Sequence, residues 1–306
     1  MAGPTGAVSG SPPVARLAYL GTPELAVPPL LALVAAGHDV ALVVSRADKR
    51  RGRGGATSPS PVKAAALELG LEVTDRLDDV GDRAVELGVV VAYGRLIPAD
   101  LLAVVPMMNV HFSLLPRWRG AAPVERAILA GDPVTGVCVM ALEEGLDTGP
   151  VYARREVRVG KEETLHELQA RLVELGSTLL VELLADGTAG LPTPVPQEGA
   201  PTYAKKLEPA ELELDFLLPA AYLARVVRLG RAWTTWRGRR LGVRRARPAG
   251  GVATVPPGTL VDDRVATGEG WLELVEVQPE GSRPMSAEAW RRGTRPQPDE
   301  RLGAAS

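Results

Sequence analysis

Short unbroken apolar runs alternate along the first part of the chain with stretches where apolar residues recur every third or fourth position. Arg16–Leu20 is such a run and leads into Gly21-Thr22-Pro23-Glu24. Pro23 suits the first turn of a helix and Thr22 its cap, and an amphipathic stretch continues to about Ala36. Asp39–Ser45 is β-branched and apolar, as a strand buried on both faces requires. Strand, helix, strand is the unit of a parallel sheet. The alternation predicts further helices over Pro61–Leu69, Ala121–Ala130 and Glu163–Ala185, and strands over Gly88–Tyr93, Met107–Phe112 and Gly136–Leu142.

After about Gly187 the pattern changes. Ala189–Pro201 carries four prolines and reads as a linker. Beyond it, short apolar pieces alternate with glycine turns at Arg240–Val243, Gly258–Val261 and Gly270–Val277, after one helix near Pro219–Arg228. The expected organisation is a disordered tail over 1–15, an α/β domain with a mostly parallel sheet over 16–188, a linker over 189–207 and a small β-barrel-like domain over 208–306.

A length of 306 residues agrees with two domains, since single cores rarely grow beyond about 250–300 residues. The single cysteine, Cys138, cannot form an internal disulfide, and the three histidines have no zinc-ligand spacing. Neither a leader nor an apolar run of membrane-spanning length is seen, so a cytoplasmic protein without metal is expected. The net charge of −2 argues against a chain that is basic throughout, but not against a local basic surface. Two segments supply one: Arg46–Arg53, basic and glycine-rich, and Arg225–Arg247, which holds nine arginines with no acidic residue and interleaves Trp233 and Trp236. Arginine with aromatics suits a surface that tracks a phosphate backbone. It also suits a solvated face, and the tryptophans equally suit a core.

Candidate chemistry begins at Asn109-Val110-His111. Residues two apart on a strand share a face, so an amide and an imidazole stand side by side with Val110 turned the other way. They lie at a strand's C-terminal end, where open α/β sheets bind ligands. Glu143–Gly149 follows the next strand and frames Asp147 between Gly145 and Gly149. An amide donor, an imidazole and a carboxylate suit transfer of a carbonyl carbon to an amine: the amide for the oxyanion, the other two for proton movement. A lone histidine on a strand is more often structural, so each signal alone is weak.

Together, Asn109-Val110-His111, Ser113-Leu114-Leu115-Pro116 with Gly120, and Gly145-Leu146-Asp147-Thr148-Gly149 resemble the signature of the folate-dependent formyltransferases. The resemblance implies a Rossmann-like first domain and an oligonucleotide-binding-like barrel second. It implies catalytic roles for Asn109, His111 and Asp147, with 10-formyltetrahydrofolate as formyl donor against Tyr93, Ser113, Leu114, Leu115 and Pro116. Gly21–Glu24, Ser58–Lys63, Val91–Gly94, Arg117–Pro123 and Thr202–Lys206 are similar to the members that formylate initiator methionyl-tRNA. On that likeness the tRNA contacts are Lys49, Arg50, Arg51, Arg53, Lys206, Arg237, Arg239, Arg240, Arg244 and Arg245, in a monomer. Two departures stand out: Gly55 where the family commonly has lysine, and Thr234 where a proline often follows the first tryptophan. Two other readings stay open: the same fold acting on another acceptor, such as a sugar-nucleotide amine or water, and a tRNA-binding protein without catalysis.

Overall fold

The computed structural model describes residues 14–50, 57–298 and 300–303, without the side chains of Lys49, Arg50 and Thr57. Of the expected tail over 1–15, residues 1–13 lie outside them, as do the loop residues Arg51 and Arg53, whereas Ala15 is buried and its carbonyl accepts the Asp39 N–H at 3.0 Å.

The first part runs β1 (Arg16–Gly21), α1 (Val27–Ala35), β2 (Asp39–Val44), α2 (Pro61–Glu68), β3 (Val73–Thr74), β4 (Leu87–Val91), α3 (Ala99–Val104), β5 (Met107–His111), α4 (Pro123–Ala130), β6 (Val134–Ala141), β7 (Val151–Arg158) and α5 (Leu165–Leu183). The sheet order is β7-β6-β5-β4-β1-β2-β3. β3 to β5 pair in parallel through β2, β1 and β4, whereas β5 and β6 are antiparallel. From β1 the chain adds strands first on one side and then on the other. That reversal opens a crevice at the C-terminal ends of β1 and β4, and β5 is the strand beside β4.

The central strands are buried on both faces, so they read as continuous apolar runs. The start of α1 differs from expectation. Thr22 caps nothing; its hydroxyl donates to the Tyr93 carbonyl at 3.4 Å. Glu24–Ala26 forms a 3-10 turn, and the prolines in the first α-helical turn are Pro28 and Pro29. α2 does start as the sequence suggests, with the Ser60 hydroxyl accepting the Lys63 N–H at 3.1 Å.

The second part holds α6 (Ala220–Arg228), β8 (Trp233–Trp236), β9 (Arg239–Ala249), β10 (Leu260–Val261), β11 (Arg264–Ala266), β12 (Trp271–Pro279), β13 (Met285–Ser286) and α7 (Ala287–Thr294). They form a sheet in the order β8-β9-β12-β11-β10, with β13 also on β12 and every pair antiparallel. The register shifts between Val243 and Ala246 bend β9, as a curled sheet needs. β3, α3, β7, β8, β11, β13 and α7 were not foreseen. β3 is two residues long, and β7 is half-exposed with three successive charged residues, so neither gives an apolar run.

Contacts divide the described residues into two compact units that are discontinuous in sequence. One takes the described residues up to Arg119, with Gly136–Glu156 and Arg171–Thr202; the other takes Gly120–Thr135, Val157–Ala170 and the described residues from Tyr203 onward. In the first, Gly176 of α5 lies so close to the sheet that a Cβ there would sit 3.0 Å from Val110 and 3.2 Å from Val137. Val110 thus faces α5, which turns Asn109 and His111 to the other side. Among the described residues no helix is long and apolar enough to cross a membrane.

Candidate active site

β5 pairs with β6 so that Asn109 lies opposite Met140 and His111 opposite Cys138. His111 is 5% exposed. Its Nε2 lies 2.9 Å from the Trp118 carbonyl oxygen. A carbonyl only accepts, so Nε2 carries the proton and the ring orientation is fixed. Nδ1 then faces Asp147, whose Oδ2 is 3.7 Å away. That is an ion-pair distance, too long for a direct hydrogen bond. Asn109 is half-buried, and its amide has no hydrogen-bond partner among the described residues. A free amide donor therefore stands beside an oriented imidazole, with a carboxylate behind it.

The loop holding Asp147 is built for that placement. Asp147 has φ of 50°, in the left-handed region that side chains other than glycine enter at a cost. A Cβ on Gly149 would overlap the Ala141 carbonyl oxygen, and one on Gly145 would overlap Thr148. The glycines thus let the loop fold back on the end of β6. Gln197 closes it, its Nε2 donating to the carbonyls of Asp147 and Gly149, each at 2.8 Å. The Gln197 Oε1 accepts from Arg119 Nε at 3.1 Å and Nη2 at 2.7 Å, which fixes the amide's orientation. Thr202 braces the opposite wall: its hydroxyl accepts the Trp118 N–H at 2.9 Å, and its carbonyl accepts the Arg119 N–H at 2.8 Å. Gln197 and Thr202 were missed. Both follow a proline-rich stretch, and composition cannot distinguish a tether from a clamp; only Thr202, in a quoted motif, carried any signal.

The remaining first-unit candidates divide by exposure. Ser113 is fully buried and donates to the Arg117 carbonyl at 2.6 Å; Leu115 is 3% exposed and packs on Cys138 and Met140. Tyr93 is 2% exposed in the cluster with Leu20, Val44 and Val90, and burial raises its hydroxyl pKa. These three shape the walls, while Leu114 and Pro116 present side-chain surface. Cys138 is fully buried, and desolvation pushes its thiol up to about 11. It is no nucleophile near neutral pH. His38 is also structural, with Nδ1 accepting the Ala15 N–H at 3.3 Å. No group of three or more His, Cys, Asp or Glu among the described residues is arranged to hold a metal ion.

Two family models match, described as formyl transferase over residues 15–184 and formyl transferase, C-terminal domain, over 206–295. The chain belongs to the formyl transferase family. Within that family it is 42% identical over 295 residues to a methionyl-tRNA formyltransferase of Jannaschia sp. (strain CCS1), covering 92% of this chain and 97% of that one. It is 42% identical over 320 residues to that of Heliobacterium modesticaldum, covering 94% and 100%. Among solved structures, an N-formyltransferase from Helicobacter canadensis, in complex with folinic acid and dTDP-3-aminofucose, aligns with a TM-score of 0.67 at 12% identity. That alignment covers 89% of this chain and 100% of that one. HypX from Aquifex aeolicus aligns at 0.63 and 17%, covering 94% of this chain and 49% of that one. At such identities the two structures share the fold alone. It is a mixed, mostly parallel sheet domain followed by an antiparallel barrel-like one.

In this formyl transferase the basic residues fall into distinct groups. Lys49 and Arg50 pair with Ser58 and Thr57 in a short antiparallel ladder. Lys206 and Arg245 are exposed. The absence of acids between Arg225 and Arg247 in sequence does not carry into space. Arg237 is held by both oxygens of Glu300, Arg247 by both oxygens of Glu273, and Arg239 lies 3.7 Å from Glu280. Arg225 donates to the Leu129 carbonyl at 2.8 Å, and Arg228 to those of Glu163 at 2.7 Å and Gly160 at 2.9 Å, so both serve packing. Trp236 is 7% exposed and meets Trp290 edge to face at 5.2 Å, which makes it core. Among the described residues Arg240 and Arg244 have no carboxylate partner; Arg240 stacks on Trp233 and Arg244 bonds neutral oxygens.

Proposed function

We propose that this enzyme transfers the formyl group of 10-formyltetrahydrofolate to the α-amino group of initiator methionyl-tRNA, giving N-formylmethionyl-tRNA for translation initiation in the cytoplasm. The observation that carries the chemistry is the unengaged Asn109 amide beside an imidazole whose orientation is fixed by Trp118 and backed by Asp147. Leu114 and Pro116 offer partly exposed apolar surface beside it, which fits a folate.

The bound folate supplies an activated formyl carbon. The attacking α-amino group titrates near about 8 when free, and the adjacent ester lowers that value, so a strong base is not required. Asn109 donates its N–H to the formyl oxygen as negative charge grows there. His111, oriented by Trp118 and Asp147, takes the proton the amine releases and returns it to the leaving nitrogen. Burial of the imidazole and carboxylate keeps bulk water from competing for that proton. Residues 208–306 form the tRNA-binding domain in this reading, joined by the Lys49–Arg53 loop and Lys206, with phosphate contacts from arginines that no carboxylate neutralises.

The test mixes purified protein with 10-formyltetrahydrofolate and charged initiator or elongator methionyl-tRNA, and measures formylmethionine after ester hydrolysis. Formylation confined to the initiator tRNA is expected. Consumption of folate without formylmethionine would move the assignment to a hydrolase, and tRNA binding without turnover would refute catalysis.

A further inference from the structure

The second unit contains a cavity of about 380 Å³ whose lining includes Arg231, Trp233, Arg240, Arg244, Leu207 and Leu212. Its lining carries three arginines and no acidic residue. Elsewhere in this unit Arg126, Arg237, Arg239, Arg247 and Arg291 each face a carboxylate. The lining arginines do not. Arg231 makes no hydrogen bond or ion pair among the described residues. The Arg240 guanidinium lies 4.4 Å from the centre of the Trp233 ring. Arg244 bonds Gln278 Oε1 through Nε, at 2.9 Å, and through Nη2, and the Gly230 carbonyl through Nη1 at 2.8 Å. Those bonds use three of its five N–H groups and fix the guanidinium without neutralising it.

Three like charges around one hollow repel each other, and among the described residues no carboxylate lies in the lining or within ion-pair distance of them. That arrangement is stable enough to persist but favours an anion entering. Trp233, Leu207 and Leu212 make the rest of the lining apolar, so the ligand should carry an anionic end and a flat, poorly hydrated body. The Arg240–Trp233 stack offers a planar cationic face, which nucleobases stack on. The volume suits one nucleotide, at the lower end of the range of about 300–1,000 Å³ for small-molecule sites.

We infer that this cavity is a nucleotide subsite, in which Arg231, Arg240 and Arg244 take a phosphate and the Arg240–Trp233 stack with Leu207 and Leu212 takes its base. The nucleotide is one of the bound tRNA; this source rests on the proposed function, whereas the subsite itself does not.

The experiment titrates full-length protein with adenosine 5′-monophosphate and with inorganic phosphate by calorimetry at low salt, and measures tRNA affinity against salt concentration. Wild type, Arg231→Met, the double variant Arg240→Met/Arg244→Met and the exposed control Arg292→Met are compared, with thermal melts to check folding. The nucleotide should bind wild type at least about tenfold tighter than phosphate. The double variant should lose about tenfold or more in affinity for both nucleotide and tRNA, and the slope of log K against log salt should fall by about two. Arg231→Met, which breaks no hydrogen bond or ion pair among the described residues, should weaken both by about threefold; Arg292→Met should change neither. Equal nucleotide affinity in wild type and both cavity variants overturns the subsite. Weakened nucleotide binding with unchanged tRNA affinity and slope overturns the tRNA source and leaves a free nucleotide as ligand. Failure of wild type to formylate methionyl-tRNA would sink the proposed reaction while leaving the nucleotide titration as an independent reading.

Discussion

Replacing Gln197 by alanine removes a side chain that bonds the carbonyls on both sides of Thr148. The two donated bonds, each 2.8 Å, hold Asp147 in its left-handed conformation behind His111. A net hydrogen bond is worth about 0.5–1.5 kcal/mol, and Gln197 is only part-buried, so water replaces some of it. The pair together then favours the observed loop by roughly 1–2 kcal/mol. At about 1.4 kcal/mol per tenfold in rate, kcat should fall between about 5- and 30-fold. Gln197→Glu should fall further, because a carboxylate would face two carbonyl oxygens while Arg119 still holds it in place. The assay is steady-state formylation with methionyl-tRNA and folate varied in turn, beside a thermal melt. KM for tRNA should change less than twofold, since in the proposed mechanism the loop orients a proton-handling group. A kcat within twofold of wild type for both variants, with folding intact, would refute the view that the linker positions Asp147.

Other outcomes follow from the same geometry. Asn109→Ala should lower kcat by about 100-fold or more, as loss of an oxyanion donor does, and His111→Ala should remove most turnover while tRNA affinity stays near wild type; normal turnover in either would exclude the role. Burial raises the Cys138 thiol to about 11, so its charged form is scarce at pH 8 and grows only as pH rises toward that value. Iodoacetamide at pH 8 should leave the folded enzyme active and label Cys138 only on unfolding, and rapid labelling of native protein would contradict this. Gly149→Ala should abolish activity without unfolding the sheet, because its Cβ would overlap the Ala141 carbonyl; retained turnover would show that the loop relaxes freely. Arg228→Met should lower stability by about 2 kcal/mol through two lost charge-assisted bonds while leaving tRNA affinity unchanged; weakened tRNA binding would return Arg228 to the interface.

The sequence by itself determined the parallel core and the shared face of Asn109 and His111. Strands buried on both faces must be apolar throughout, and two-residue periodicity put Asn109 and His111 on one face with Val110 on the other, where α5 meets it at Gly176. Short or charged elements such as β3 and β7 carry no such pattern, so only pairing with neighbours reveals them. Tertiary structure alone decided which charges are free. Glu300, Glu280 and Glu273 are distant in sequence from the arginines they neutralise, and Arg225 and Arg228 are spent on backbone carbonyls. It also decided that Gln197, in a stretch composed like a tether, reaches back across 50 residues to the Asp147 loop. Periodicity is local and survives in one dimension. Charge compensation and side-chain clamps depend on which remote segments the fold brings within about 3 Å, and no local pattern encodes that distance.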